Sequence, residues 1–403
     1  MFLKNAWYVA AMPDELAETP LGRTICGEKM VFYRGAGGKV AAVEDFCPHR
    51  GAPLSLGYVE DGKLVCGYHG LAMGCEGKAL EMPGQRVNGF PAIKSYAVEE
   101  RYGFIWVWPG DKAKADPATI HHLEWAVNPE WAYGGGLYHI NCDYRLMIDN
   151  LMDLTHETYV HAGSIGQKEI DEAPVSTRLD GDHVITSRFM ENIKAPPFWQ
   201  MALRMNDLAP DVAVDRWQIC HFHPPSHVLI EVGVAHAGHG GYQAPEAVKA
   251  SSIVVDFITP ETETSHWYFW GMARHFKPGD AELTAKIREG QGKIFNEDRE
   301  MLEQQQQNLL RWPERALLKL NIDAGGCSPA GSSSGCWPRR RLDAGAADDR
   351  DRAGRGPRCW PGCAAFHPRW RGGRVAALQR RRACGCASAW RAGPAIFAVR
   401  RPG

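Results

Sequence analysis

The sequence predicts an α+β protein with two domains, the first built of strands alone and the second of strands and helices. Its 403 residues are enough for two hydrophobic cores, because single cores stop growing at roughly 250–300 residues. Residues 1–112 contain short β-type segments between loops rich in Gly and Pro. Residues 119–326 combine longer β-type segments with two helical patterns. Hydrophobic residues make up 44% of the chain and charged residues 23%, which is typical of a globular protein rather than a disordered one.

Two segments indicate that the first domain is a small all-β unit. The stretch VFYRGAGGKVAAVED, residues 31–45, predicts two strands around a Gly-rich hairpin, and GFIWVW, residues 103–108, predicts another strand. The polar stretch DKAKADPA, residues 111–118, contains a proline and is typical of a linker. We therefore end the first domain at residue 112 and begin the second at residue 119.

The second domain mixes the two types of secondary structure. A helix is expected within residues 137–163, and residues 280–312 carry a longer helical pattern with Asp280 as its N-cap. Three apolar segments are expected to form strands of a second sheet: VLIEVGVAHA (228–237), SIVVDFITP (252–260) and SHWYFWGMARHF (265–276).

The stretch CPHRGAPLSLGYVEDGKLVCGYH, residues 47–69, places metal-binding side chains on two short arms. Each arm holds one Cys and one His, Cys47 with His49 and Cys66 with His69. A Cys₂His₂ zinc site normally takes both Cys from one arm and both His from the other. The mixed arrangement favours a two-iron cluster in which the two thiolates bind one iron and the two imidazoles bind the other. Zinc, or a set of unrelated core residues, is the alternative.

A second set of candidate ligands lies in DNLMDLTHETYVH, residues 149–161, which has the pattern N-x₂-D-x₂-H-x₄-H. In a continuous helix Asp153 and His156 would share one face. His156 and His161 are five residues apart and would point about 140° away from each other. The two imidazoles can therefore meet at one ion only if the helix ends or bulges between them. Asn150 begins the pattern and is a further candidate residue.

Two histidines and one carboxylate form one face of a non-haem Fe(II) site and leave open positions for O₂. The stretch NEDREMLEQQQQ offers Glu297 and Asp298 on the second predicted helix. Two histidines at this spacing are, by themselves, more often ordinary core or surface residues. A one-electron cluster in the same chain favours the metal interpretation, because the electrons then have a destination.

Charge is unevenly distributed along the chain. Residues 327–403 contain 16 Arg and 4 Asp with no Lys or Glu, a net charge of +12, whereas residues 1–326 carry −13. The tail is rich in Arg, Ala, Gly, Pro, Cys and Trp, a composition typical of a GC-rich gene translated out of frame. We predict a frameshift near Gly326 and a disordered tail. A basic appendage that binds nucleic acid is the alternative.

The first residues, MFLKNAWYVAAMPDE, lack the apolar run of a signal peptide, and no window of the sequence is apolar enough to span a membrane. We therefore expect a cytoplasmic protein with no membrane partner. In a reducing compartment, paired cysteines are metal ligands or reactive thiols rather than disulfides.

Together these motifs resemble the Rieske non-haem iron oxygenases, and within that family the O-demethylases of aromatic methyl ethers. The resemblance runs from Met1 to Gly326, and nothing corresponds from Cys327 onward. It implies an N-terminal Rieske [2Fe–2S] domain followed by a helix-grip α+β catalytic domain. The segments that carry it include KNAWYVA, PLGRTIC, VEDFCPHRGAPLSLG, CGYHGLAMGCEGK, EERYGFIWVWPGD, IDNLMDLTHETYVHAGSIGQ and VDFITPET.

The resemblance also implies roles for individual residues. Asp153 is expected to hydrogen-bond an iron-ligand histidine and the partner subunit's His69, which couples the two metal sites across a head-to-tail homotrimer. Asn150 and Asp153 are the expected catalytic residues. The implied ligands are Cys47, His49, Cys66 and His69 for the cluster, and His156, His161 and Asp298, rather than the adjacent Glu297, for a mononuclear Fe(II).

The implied activity is the O₂-dependent demethylation of a small aromatic acid, with vanillate as the expected substrate and protocatechuate and formaldehyde as products. Electrons would come from NADH through a ferredoxin-type flavin/iron–sulfur reductase subunit. Another methoxybenzoate, hydroxylation of an aromatic ring, and a Rieske electron-transfer protein without catalytic iron are the alternatives. No substrate-binding residue can be assigned, and the candidates by polarity alone are Arg204, Arg216, His223, His227, Arg274 and His275.

Overall fold

The computed structural model of the chain describes residues 2–16, 19–318 and 320. The predicted tail from residue 327 onward lies outside the described residues, and so does the predicted end of the second domain at 326. The predicted boundaries at 112 and 119 flank two short 3₁₀ turns, Lys112–Lys114 and Pro117–Thr119, and they remain predictions.

The first part of the chain forms two antiparallel sheets, which confirms the predicted all-β unit. The larger sheet has the order β1-β10-β9-β4-β3-β2, and the smaller has the order β5-β6-β7-β8. The predicted hairpin and the predicted GFIWVW strand are β3, β4 and β10. The strands are β1 Tyr8–Ala11, β2 Leu21–Ile25, β3 Glu28–Arg34, β4 Val40–Glu44, β5 Tyr58–Glu60, β6 Lys63–Val65, β7 Ala72–Met73, β8 Ala79–Glu81, β9 Ser95–Arg101 and β10 Phe104–Trp108.

The second part is built on one seven-stranded antiparallel sheet with the order β11-β17-β16-β15-β14-β13-β12. The three predicted strands are β15, β16 and β17, and the other four were not predicted. The strands are β11 Ala132–Ile140, β12 Val175–Asp180, β13 His183–Lys194, β14 Ala213–His223, β15 His227–His236, β16 Lys249–Thr262 and β17 Ser265–Arg274.

Helices α2 Tyr144–Met152, α5 Pro197–Met205 and α6 Ala281–Arg311 pack on one face of this sheet. The predicted Asp280 N-cap is confirmed, since its Oδ1 accepts a 2.8 Å hydrogen bond from the Leu283 amide. Among the described residues, no helix is both long and apolar enough to cross a membrane. The helices are α1 Glu124–Val127, α2 Tyr144–Met152, α3 Glu157–Val160, α4 Glu169–Glu172, α5 Pro197–Met205 and α6 Ala281–Arg311.

The helix expected within 137–163 is present as two pieces, and the end that the ligand spacing requires between His156 and His161 comes at Val160, the last residue of the second piece. The first piece, α2, ends before Asp153, and α3 begins at Glu157 and ends before His161. The expectation that Asp153 and His156 share one helical face is therefore wrong, because the two residues lie in the break between α2 and α3. Residues 137–140 are not helical either, since they belong to β11.

The two faces of the seven-stranded sheet have different neighbours. On the outer face Val255, Phe257 and Phe269 pack against Phe104 and Trp106 of β10 in one buried cluster. The backbone continues this contact, since the Cys26 amide donates to the Pro260 carbonyl at 2.7 Å. The outer face thus joins the second sheet to the first β unit.

On the inner face, alternate residues of the same strands point toward the helices. Val254, Ile258 and Tyr268 lie in a second buried cluster with side chains of α2 and α6. Successive strand residues point to opposite faces of a sheet, so one short run of β16 serves both clusters. The candidate ligands of α3 and α6 lie on this inner side.

Glycines allow α6 to approach the edge of the sheet closely. Tyr138 Oη donates a 3.0 Å hydrogen bond to the Gly292 carbonyl. A Cβ atom at Gly292 would lie 3.0 Å from Tyr138 Oη and 3.1 Å from the Trp270 ring, and one at Gly136 would lie 2.6 Å from that ring. A side chain at either position would push the helix away from β11 and β17.

We expect Gly292→Ala to destabilise the protein and Gly290→Ala, in the same helix, to stabilise it. A Cβ at Gly290 meets nothing within 4 Å, so its gain should be the ordinary helical preference of Ala over Gly, about 0.5–1 kcal/mol. At Gly292 overpacking should cost about 1–3 kcal/mol and outweigh that preference. Thermal unfolding of both variants checks this, and equal midpoints would contradict the close approach of α6.

Candidate metal centres

The two arms that carry the Cys and His pairs have the same backbone form. The Cys47 amide donates to the Ala52 carbonyl at 2.8 Å, and the Gly51 amide donates to the Cys47 carbonyl at 2.8 Å. The second arm repeats both bonds, from Cys66 to Leu71 at 2.9 Å and from Gly70 to Cys66 at 3.0 Å. Gly51 and Gly70 have φ angles of +70° and +75°, in the left-handed region that glycine adopts without strain.

The arms bring their four candidate ligands together with a clear division. Cys47 and Cys66 are buried, whereas His49 and His69 are exposed and their ring centroids lie 4.5 Å apart. In the described chain, no three of the four offer ligand atoms within 4.8 Å of one another, as a single ion would require. Thiolates on one side and imidazoles on the other suit two metal ions better than one zinc ion.

The second candidate centre joins the α2–α3 region to α6. His156, His161 and Asp298 are the one group of three or more His, Cys, Asp or Glu, among the residues described, whose ligand atoms lie within 4.8 Å of one another. His161 Nε2 is 3.2 Å from Asp298 Oδ1, and His156 Nε2 is 3.5 Å from the same oxygen. The end of α3 makes this convergence possible, because His161 leaves the helix with φ −108° and ψ 30°.

Each member of this group is oriented by a further hydrogen bond. His156 Nδ1 donates to the Asp153 carbonyl at 2.6 Å, and His161 Nδ1 lies 2.7 Å from Glu297 Oε2. Asn150 Nδ2 donates to Asp298 Oδ1 at 3.0 Å. Both imidazoles therefore present Nε2 toward Asp298, which is the arrangement by which outer partners orient metal-binding histidines.

In this group, the charges of neighbouring side chains outweigh the effect of burial on the pKa values. Burial disfavours the charged forms, yet the hydrogen bonds to His156 and His161 lower the pKa of Asp298 to about 2. Burial likewise opposes protonation of His161, but Asp298 and Glu297 raise its pKa to about 9. The group thus holds an ionised carboxylate in a mostly buried position, as a cation site requires.

Two buried arginines hold the segment that carries the histidines. Glu157 accepts hydrogen bonds from Arg188 at 3.0 Å, Arg216 at 3.2 Å and Gln218 at 2.6 Å. Arg188 also donates to the carbonyl of Leu154. Arg216 donates to the Ile165 carbonyl at 3.1 Å. The loop from 154 to 165 is therefore held at both ends and in the middle.

Asp153 is placed differently from the sequence expectation within one protomer. Its Oδ1 accepts from the amide and the hydroxyl of Thr155, both at 2.7 Å, and its carbonyl rather than its side chain meets His156. No hydrogen bond joins its Oδ2 to another group in the described part of the protomer. A link between Asp153 and the partner subunit's His69 remains a prediction.

The six polar candidates for substrate binding have other partners, and none of them forms a hydrogen bond or ion pair with His156, His161 or Asp298 in the described chain. Arg216 binds Glu157, Arg274 donates to the Lys277 and Asp280 carbonyls, and His275 pairs with Glu246. His223 lies beside His183 and His227 beside Trp106, and Arg204 is exposed. Most of these side chains have structural partners, and polarity alone does not single out a residue that binds the substrate.

Two protein-family models match the chain. Residues 6–97 match the Rieske [2Fe–2S] domain, and residues 140–329 match the vanillate O-demethylase oxygenase C-terminal domain. These ranges contain the two arms and the second candidate centre, respectively.

Known proteins are similar over most of the chain. The vanillate O-demethylase oxygenase subunit of Pseudomonas sp. (strain HR199 / DSM 7063) is 80% identical over 326 residues, which is 81% of this chain and 92% of the relative. A crystal structure of dicamba monooxygenase bound to 3,6-dichlorosalicylic acid has a TM-score of 0.75 and 33% identity, over 80% of this chain and 94% of that chain. A structure of dicamba monooxygenase with non-heme iron and dicamba has a TM-score of 0.68 and 32% identity, with the same coverage.

The similarity, the two matched domains and the two candidate centres agree with one another. The chain therefore belongs to the vanillate O-demethylase oxygenase family of Rieske monooxygenases.

Proposed function

We propose that this protein is the oxygenase component of an O-demethylase that converts vanillate to protocatechuate and formaldehyde. The observation that carries the proposal is the convergence of His156, His161 and Asp298 in a chain that also has the two Rieske arms. The similarity to vanillate O-demethylase oxygenase subunits supports the choice of substrate.

The donor sets fit the two groups that this chemistry needs. Cys47 and Cys66 would bind one iron of a [2Fe–2S] cluster, and His49 and His69 would bind the other. Two imidazoles and one carboxylate, from His156, His161 and Asp298, are the ligand set of non-haem Fe(II) oxygenases. When bound, the cluster supplies single electrons and the iron supplies O₂ activation.

The protein's own residues position these ligands and shield the site. Glu297 and the Asp153 carbonyl orient the two imidazoles, and Asn150 orients Asp298. The apolar inner face of the sheet excludes water from the methyl group that reacts. We infer that Asn150 and Asp153 act in this positioning role.

The overall reaction balances with one O₂ and two electrons for each methyl group. One oxygen atom is inserted into a methyl C–H bond. The other oxygen atom takes up two protons and leaves as water. The resulting hemiacetal collapses to formaldehyde and a phenol. We propose that NADH supplies the electrons through a flavin/iron–sulfur reductase in the cytoplasm.

We propose that electrons cross between subunits of a homotrimer. His49 and His69 are exposed, so a neighbouring protomer can contact them. Asp153 is partly exposed and next to the second centre, and its Oδ2 is available to such a neighbour. A carboxylate between two imidazoles would fix both tautomers and couple the two centres.

Metal content and product analysis test the proposed function. We expect about three iron atoms and about two acid-labile sulfides per chain. With vanillate, NADH and a cognate reductase, formaldehyde should form in step with O₂ uptake. Zinc in place of iron and sulfide, or O₂ uptake without formaldehyde from any methoxybenzoate, would overturn the proposal, and the latter would favour ring hydroxylation.

His161→Ala should remove turnover while the visible absorbance of the cluster remains. We expect turnover to fall at least about 100-fold. Losing a residue that orients a metal ligand typically costs about 10- to 100-fold, and losing the ligand itself should cost more. His239→Ala is the matched control, because His239 is exposed and lies outside both centres. Turnover that survives in His161→Ala would remove the second centre from the proposed reaction.

Asp153→Asn should slow transfer between the centres without changing either metal content. We expect turnover to fall by about 10- to 100-fold, with the cluster still reducible by dithionite. Single-turnover oxidation of the prereduced cluster measures the step directly, and Asp182→Asn, at an exposed hairpin, is the control. An unchanged oxidation rate in Asp153→Asn would exclude the proposed bridge.

A further inference from the structure

Asp256 is a buried carboxyl group that the reaction proposed above does not use. It lies in the middle of β16 and has no exposed surface. Its neighbours along the strand, Val255 and Phe257, belong to the outer cluster, whereas Val254 and Ile258 belong to the inner one. The alternation therefore directs Asp256 to the inner face, the side that also carries the candidate iron ligands.

The hydrogen bonding of Asp256 is incomplete. Tyr268 Oη donates to its Oδ1 at 2.6 Å, but its Oδ2 is buried and has no partner among the described residues. No cation of the described chain pairs with it. Burial, followed by the charge of Asp298, raises the pKa of Asp256 to about 8, so the group is a neutral acid at pH 7. Its Oδ2 can then donate an O–H that none of the described groups accepts.

A second unsatisfied donor lies on the neighbouring strand. Trp270 is directly opposite Asp256 in the register of β16 and β17, so both side chains leave the same face of the sheet, and the Trp270 ring extends over Gly136 of β11. The Trp270 side chain is also buried, and its Nε1–H has no acceptor among the described residues. Buried polar groups are normally satisfied, and the unpartnered Oδ2 of Asp256 indicates a place for a guest oxygen atom beside it.

This place lies close to the group that would bind the iron. The Tyr268 ring is 5.3 Å from that of Phe295, which is one turn before Asp298 on α6. The charge of Asp298 is also near enough to affect Asp256. A small aromatic substrate with its methyl group beside the iron can therefore reach Asp256 with a neighbouring ring substituent.

We propose that Asp256 recognises the hydroxyl group ortho to the reacting methoxy group of the aromatic substrate, by donating a hydrogen bond from Oδ2 to the phenolic oxygen. This inference rests on the proposed demethylase function. In vanillate that neighbour is the 4-hydroxyl, and the carboxylate lies on the far side of the methoxy group. A hydroxyl suits the site better than a carboxylate, because a second anion next to Asp298 would be repelled.

The test compares vanillate with 3-methoxybenzoate, which lacks only the hydroxyl. The wild-type protein should prefer vanillate by roughly 10- to 100-fold in kcat/KM, the range for a buried polar group that loses its partner. Asp256→Leu should bring the ratio to within about threefold of unity, mainly through loss of activity on vanillate. Asp256→Asn keeps a donor and should retain most of the preference.

Calorimetric binding of the same two compounds to the iron-loaded proteins should show the same pattern, and it does not depend on turnover. If Asp256→Leu weakens both compounds equally, or if the wild-type protein does not distinguish them, the inference is overturned. A wild-type protein that releases no formaldehyde contradicts only the demethylase proposal, since the ratio of the two dissociation constants still decides the role of Asp256. Iron analysis of each variant and the behaviour of Asp256→Asn separate recognition from misfolding.

Discussion

The candidate iron site depends on one buried ionic network, Glu157 held between Arg188 and Arg216. The two histidines flank α3, a helix of a single turn that would not be stable alone. Arg188 and Arg216 reach from β13 and β14 to bind the carboxylate of that turn and the carbonyls at both ends of its loop. Removing one member of a buried pair typically costs about 3–5 kcal/mol, because the other charge is left unpaired. The rigid sheet thereby holds a short loop in place, which the loop's own backbone hydrogen bonds could not do.

The two faces of the seven-stranded sheet have different structural roles. Its outer face packs on the first β unit, and its inner face carries the group that would bind iron. The exposed imidazoles of the Rieske arms are not paired with that group within the described protomer. Among the described residues of one protomer no contact joins the two candidate centres, so the coupling that we propose depends on assembly.

Ligand patterns that are local in the sequence could be predicted, and contacts that depend on the sheet could not. The spacing of Cys47, His49, Cys66 and His69 is contained in two turns. The geometry of a helix requires the helix to end between His156 and His161, and α3 ends there at Val160. Strands β13 and β14 were missed because buried polar residues such as Arg188 and Gln218 interrupt their apolar alternation.

Strand β11 was missed for a related reason. Its glycines weaken the strand signal, although the structure requires small residues there. A Cβ at Gly135 would lie 2.3 Å from the Trp270 carbonyl oxygen, and one at Gly136 would meet the Trp270 ring. Glu157 could not be assigned either, since its partners are 31 and 59 residues away in the chain. Asp256 did carry a local signal, as the single carboxylate in the apolar run SIVVDFITP.

Two carboxyl groups on the same side of the sheet have opposite states because their surroundings differ. Asp298 is buried but accepts hydrogen bonds from two imidazoles, and these lower its pKa to about 2. Asp256 is buried without a cation, and its pKa is raised to about 8. Titratable groups whose pKa values are pushed apart in this way usually have different tasks. An anion is needed where a cation binds, and a neutral acid can donate a hydrogen bond without repelling a negatively charged substrate. The fold can therefore use one residue type both to hold a metal ion and to recognise the molecule beside it.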